Sequence, residues 1–137
     1  MMGFEARLEV LTHEECLALL DRNVVGRLAI TADGQPDIFP VNYSLDGERI
    51  IFRSSPGTKL DHASLDRVAF EVDEFDPTSA TARSVVVKGT AREFTEGIDE
   101  ASERERTLLV ATMLPSNHMR WVRIIPNSIT GRRIVGN

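Results

Sequence analysis

The apolar positions of this chain follow two spacings, and the change from one to the other marks out its elements. Near the N-terminus Cys16, Leu17, Leu19 and Leu20 gather on one side of a 3.6-residue period. Thr12 precedes them as an N-cap and Glu15 stands three residues on, where a capping box needs it, so a helix runs from Thr12 to about Asn23. The period then drops to two. Val25, Arg27, Ala29 and Thr31 share one face of a strand, and Gly26, Leu28, Ile30 and Ala32 share the other. Asp33-Gly34 turns the chain into a second strand, roughly Asp37 to Leu45. Asp46-Gly47 turns it again into a third, Glu48 to Arg53. Pro40 lacks a ladder N–H, so the second strand should lie at an edge or bulge there.

Further along, Lys59 to Asp66 reads as a short helix and Val68 to Asp73 as a strand. A loop spans Asp76 to Thr81. Ser84 to Phe94 is a long strand in which Gly89 predicts a bulge or bend. Ile98, Ala101, Glu105, Leu108, Leu109 and Thr112 recur at helical spacing, which places a second helix over Ile98 to Met113, stopped by Pro115. Trp121 to Ile125 and Ser128 to Val135 read as two final strands, separated by Pro126-Asn127. Tight hairpins between successive strands exclude a parallel βαβ sheet. The expected fold is mainly β (α+β): a small antiparallel barrel with peripheral helices, in one domain spanning residues 1–137.

Composition narrows the function. The 137 residues are 42% hydrophobic and 27% charged, enough for a real core. No stretch approaches the ~20 apolar residues of a membrane span and no signal peptide opens the chain, so a cytoplasmic protein is expected. With 16 basic and 21 acidic residues the net charge is -5, against the basic excess of a nucleic-acid binder. Cys16, the single cysteine, sits among leucines as an ordinary buried thiol. Glu71, Asp73 and Glu74 resemble a solvent-facing edge more than acid–base machinery, and no nucleophile elbow is present. If the chain is an enzyme, its chemistry comes from a bound cofactor.

Against that acidic background the run Arg53-Ser54-Ser55-Pro56-Gly57-Thr58-Lys59 stands out. Arg53 offers bidentate donors, Lys59 a point charge, and Ser54, Ser55 and Thr58 hydroxyls. Gly57 allows close backbone approach, and Lys59-Leu60 would open a helix whose N-terminus favours an anion. The set suits a phosphate; a solvated loop with a helix cap at Thr58 is the plain alternative. Pro40-Val41-Asn42-Tyr43 lies one strand earlier, and its interrupted edge could read the polar rim of a planar ring. Trp121, flanked by Arg120 and Arg123, suits ring stacking, a subunit interface or the core equally. Arg132-Arg133 could serve a second phosphate or a carboxylate of a partner.

Three stretches carry a resemblance: Gly26-Arg27-Leu28-Ala29 to Asn42-Tyr43, Ile51-Phe52-Arg53 to Lys59-Leu60, and Arg83-Ser84-Val85-Val86-Val87-Lys88-Gly89. In order and spacing the chain resembles the pyridoxamine 5′-phosphate oxidase-like family of FMN-binding split barrels, close to its nitroimidazole-reductase-like branch. The resemblance implies a six-stranded split barrel acting as a homodimer, with FMN in grooves between subunits. It implies that Phe39 to Tyr43, with Pro40, Val41 and Asn42, line the isoalloxazine. Arg53, Ser54, Thr58 and Lys59, ahead of Leu60, would hold the phosphate. Ser84 and the region of Trp121 to Arg132 would reach in from the partner chain. The implied activity is a flavin-dependent oxidoreductase using NAD(P)H or another donor and a small planar substrate. A deazaflavin coenzyme in place of FMN, or a non-catalytic flavin, deazaflavin or haem binder, is the alternative. Ile129-Thr130-Gly131-Arg132-Arg133 replaces the Arg-x-His-type clamp of the true oxidase, which argues against pyridoxamine phosphate as substrate. Arg53 likewise replaces the histidine expected of a nitroimidazole reductase.

Overall fold

The computed structural model describes residues 6–54, 60, 63–94, 105 and 120–136. In chain order these form β1 (Arg7–Val10), α1 (His13–Arg22), β2 (Val25–Ala32), β3 (Gln35–Asp46), β4 (Arg49–Ser54), β5 (Ala63–Asp76), β6 (Thr81–Phe94) and β7 (Arg120–Val135). Every strand pairing is antiparallel. The sheet runs β1-β7-β4-β3-β2-β5-β6, and β6 pairs back onto β7, closing a ring of six strands with β1 appended to β7. This is the expected six-stranded antiparallel split barrel.

Local chemistry explains the start of the chain. Thr12 Oγ1 accepts from the Glu15 N–H at 3.1 Å, and Glu15 Oε1 accepts from the Thr12 N–H at 3.0 Å, completing the capping box. Cys16, Leu19 and Leu20 face the barrel and are buried. In β2 the alternation places Gly26, Leu28 and Ile30 inward. Asp33 and Gly34 both take positive φ, 52° and 78°, as the first hairpin needs. The second turn lies one residue later than expected. Asp46 still pairs with Arg49, and Gly47 supplies the positive φ of 62°.

The core joins Phe52, Phe70, Leu28, Ile50, Val85, Val87 and Ile124, all essentially inaccessible, with the inner residues of α1. The Tyr43 ring meets Phe70 edge-on, centroids 4.9 Å apart. Gly26 is required by that packing, because a Cβ there would lie 2.1 Å from Phe70 Cζ.

Three expectations need correction. The short helix over Lys59 to Asp66 does not extend to its expected end: Leu60 is helical, but Ala63 and Ser64 pair with Ala32 and Thr31, so Ala63–Asp66 opens β5. The two final strands are one, because Pro126 and Asn127 are carried through β7 as a bulge, with Lys88 opposite Ser128 but Gly89 opposite Pro126. Glu71 is not on an edge, since it pairs with Arg27 of β2 and Val86 of β6, whereas Asp73 and Glu74 pair with β6 alone among the described residues. β1, for which the sequence offers no signal, pairs with the last residues of β7. The second helix falls outside the described residues except at Glu105, which is helical. No helix of the described residues is long and apolar enough to cross a membrane.

Candidate functional site

The residues singled out in the sequence fall into two clusters. The first forms where β4 ends. Arg53 pairs with Trp121 and Ser54 with Arg120 across β4 and β7. The Arg53 guanidinium lies over the Trp121 ring, 5.3 Å from its centroid, and Trp121 in turn leans on Phe94 at 6.1 Å. Ser54 is buried beside them. Thr58 and Lys59 lie outside the described residues. Leu60 is buried and belongs to the core.

β3 passes this cluster in two different states. Its second half, Tyr43 to Asp46, pairs with β4, beyond the end of its ladder with β2. Its first half, Gln35 to Asn42, pairs with β2 alone among the described residues. Pro40 therefore sits on a locally open edge, as its missing N–H requires. Continuing the Tyr43–Phe52 register by one step sets Asn42 opposite Arg53, both on the face away from the core. Pro40 is exposed on that same face. Phe39 and Val41 point the other way and pack on the core.

Tyr43 is a support and not a surface group. Its side chain is buried, its O–H donates to the Leu20 carbonyl, and its N–H donates to the Val24 carbonyl at 3.0 Å. Burial raises the phenol's pKa, and nearby Asp21 and Glu74 add to the effect. The ring fixes α1 against β3 and so sets the course of the open edge.

The second cluster lies far along β7. Ser84 pairs with Arg132 on one side and Asp73 on the other. Both line a groove of ≈ 520 Å³ that also takes in Leu8, Phe75 and Ile134. Leu8, Ile134, Ala82 and Phe75 are register partners across β1, β7, β6 and β5, and the three large ones are 63%, 46% and 69% exposed. A contiguous apolar row of this kind beside polar groups is unusual for a free surface. At roughly 3.3 Å per residue, β7 from Trp121 to Arg132 spans about 35 Å, so no single small ligand touches both clusters of one chain.

The charges around these clusters are mostly engaged. Arg27 Nη1 lies 2.9 Å from Glu71 and 3.2 Å from Asp73. Burial raises the pKa of Glu71, and the Asp73 carboxyl adds to that, while Arg27 opposes it. Arg22 binds Glu74 through two N–H groups at 2.9 and 2.7 Å, and Asn23 adds a third donor at 2.8 Å. The Arg22 hydrogen bonds hold the Glu74 carboxyl down at about 2. These acids carry structural ion pairs, in keeping with the absence of acid–base signals in the sequence. Sequence reasoning did not foresee Glu105 as a charged anchor. It is fully buried, 2.9 Å from Arg123 Nε and 3.5 Å from Arg49 Nη1, and burial raises its pKa. Arg123 also stacks on Phe94, 4.4 Å from the centroid. Its only sequence signal was a glutamate on the apolar face of a helical period.

Comparison with known proteins agrees with this architecture. Residues 12–133 match the family described as pyridoxamine 5′-phosphate oxidase. An uncharacterised protein of Mycobacterium tuberculosis is 32% identical over 133 residues, covering 93% of this chain and 86% of the relative. One from Rhizobium meliloti is 34% identical over 87 residues, 63% of this chain and only 57% of the relative's length. The solved structure of an FAD binding protein from Mycobacterium smegmatis superimposes with a TM-score of 0.80 at 33% identity, covering 93% of this chain and 98% of that one. The family match runs from the cap of α1 nearly to the end of β7 and takes in Arg53, Trp121, Ser84 and Arg132, and the chain belongs to the pyridoxamine 5′-phosphate oxidase family.

Proposed function

We propose that this protein is a flavin-dependent oxidoreductase that holds FMN in a groove completed by a second copy of the chain. The observation that carries this reading is the Arg53–Trp121 stack beside the open half of β3. The residues fit a flavin phosphate and ring. Arg53 presents a guanidinium at a strand end and Ser54 a hydroxyl, and Thr58 and Lys59 follow within five residues of the sequence. The open edge of β3 offers backbone groups to the polar rim of a planar ring, and Pro40 keeps that edge from pairing with another strand. The M. smegmatis relative, described as binding FAD, supports a flavin, and the phosphate anchor argued here suits FMN and FAD alike.

The separation of the two clusters supports the homodimer. Ser84 and Arg132 meet a ligand held at Arg53 only if they come from another copy, and the apolar row Leu8–Ile134–Ala82–Phe75 gives that copy a surface to cover. When bound, the flavin would supply hydride transfer between a nicotinamide donor and a small planar acceptor. The chain itself would anchor the phosphate, orient the ring along β3 and exclude water. No side chain at the site is assigned as an acid or base.

The absorbance spectrum of the purified protein, followed by FMN titration, tests the reading. Flavin bands, or saturable quenching of added FMN, are expected. Arg53→Ala should weaken FMN binding by about tenfold, the value of one charge-assisted contact. Absence of any flavin or deazaflavin binding defeats the proposal. Bound flavin that no nicotinamide donor reduces would instead identify a carrier or sensor.

A further inference from the structure

Between β2 and β5 the ladder comes apart. Ala29 pairs with Ala69, but Thr31 pairs with Ser64, so two steps along β2 face five along β5. The surplus residues of β5 have no partner in β2. One strand beyond β5, in the ladder of β6 with β7, a second irregularity lies at the same level, where Lys88 and Gly89 straddle the bulge that contains Asn127. Paired irregularities of this kind re-aim side chains and open a sheet. Here they leave a groove of ≈ 450 Å³, within the range of small-molecule sites.

Its chemistry is divided. Ile30 and Val68, which elsewhere belong to the sealed core, show at its base because the ladder is open above them. Ala29 and Ala69 form a flat floor with no side chain to obstruct a ring. Arg67 and Lys88 stand on the rim. In this acidic chain Arg22, Arg27, Arg49, Arg92, Arg123 and Arg133 each lie within 4.0 Å of a carboxylate. Arg67 and Lys88 form no such pair among the described residues, yet they share one rim. Bringing two cations together without a counter-charge is unfavourable unless an anion joins them.

We propose that this groove is a second small-molecule site, for an organic anion with a flat apolar body. The apolar body lies over Ala29 and Ala69 against Ile30 and Val68. The anionic group, carboxylate or phosphate, bridges Arg67 and Lys88, the arginine as a two-pronged donor and the lysine as a point charge. The site is separate from the Arg53–Trp121 cluster and does not depend on the flavin reading.

Isothermal titration of the full chain with 2-naphthoate and with 2-naphthyl phosphate, in the presence of excess FMN, tests it. Saturable binding of one or both is expected, and the tighter of the two names the anionic group. Arg67→Gln with Lys88→Gln should weaken binding at least tenfold while leaving the thermal midpoint essentially unchanged, because both side chains are exposed. Ala69→Phe, which fills the floor, should abolish binding; 2-naphthalenemethanol, which lacks the charge, should bind far more weakly than the acid. The proposal is overturned if neither acid binds, if the double variant binds like the parent, if inorganic phosphate competes as well as 2-naphthyl phosphate, or if raising FMN displaces the naphthyl ligand.

Discussion

The wall formed by β6 and β7 and the wall formed by β3 and β4 are made of similar residues but end very differently. β6 is paired with β7 along its whole length, from Thr81–Val135 to Phe94–Trp121. β3 meets β4 over four residue pairs, Tyr43 to Asp46. The long ladder satisfies its backbone and sends Val85, Val87, Val122 and Ile124 into the core. The short one leaves half of β3 with an open side among the described residues, just where Arg53, Ser54 and Trp121 gather. Stability and recognition are thus assigned to adjoining walls of one barrel, because a backbone already paired in a ladder has nothing left to offer a ligand.

The sharpest way to break that contrast is at Gly89. A Cβ there would lie 2.2 Å from the Ile125 carbonyl oxygen, a backbone atom held by the long ladder. Gly89→Val should cost about 4 kcal/mol or more and frequently prevent folding, as severe backbone overpacking does. Gly34, in the first hairpin, has nothing within 4 Å of its Cβ position and a φ of 78°. Gly34→Ala should cost only about 1–2 kcal/mol, from the left-handed backbone alone. Urea midpoints for the pair check this; equal costs would mean that the long wall yields as readily as a turn.

Next in size is the buried ion pair between β7 and Glu105. Arg123→Met removes the cation 2.9 Å from a carboxylate with no exposure. About 3 kcal/mol should be lost at neutral pH, the usual cost of stranding one partner of a buried pair. The variant's Glu105 is deprived of the cation that lowers its pKa, so the loss should shrink as pH falls and the carboxyl is neutralised. A deficit that stays constant from pH 8 to pH 5 would show that packing on Phe94, and not charge, is what Arg123 contributes.

The smallest effect concerns the tie between α1 and β5. Glu74 is held at about 2 against an ordinary value of 4.5, chiefly by Arg22. Its folded-state pKa is depressed, so the stabilisation is present above pH 4.5 and is lost as pH falls toward 2. Both partners are partly exposed, at 48% and 29%, so Arg22→Ala should cost roughly 1 kcal/mol at pH 7. The two proteins should converge in stability near pH 2. Thermal melts across that range measure it.

Much of the fold was legible because its signals are local. The Thr12–Glu15 box, the two-residue alternation of β2 and the first Asp-Gly turn each require only neighbours in the chain, and each was found in place. The misreadings share one cause. Pro126-Asn127 looks like a strand end, but Pro126 pairs opposite Gly89, whose missing side chain makes room for the bulge. Ala63 to Asp66 has no strong strand signature, and β2 draws it into the ladder. β1 is too short to announce itself without β7. At the site, Arg53 and the Pro40 edge were visible as types and spacings. Two further features were not visible in sequence: Tyr43 as a buried support, and Ser84 and Arg132 as neighbours far from Arg53.

The sequence by itself determined the antiparallel succession of β2, β3 and β4, the first hairpin turn and the cap of α1, since these depend on contacts a few residues apart. Tertiary structure alone decided that the ring closes through β6 and β7, that β3 stays half open among the described residues, and that the candidate residues gather in two clusters beside distant stretches of β7. Those outcomes depend on register between segments far apart in the chain, and register is fixed by which side chains share the core.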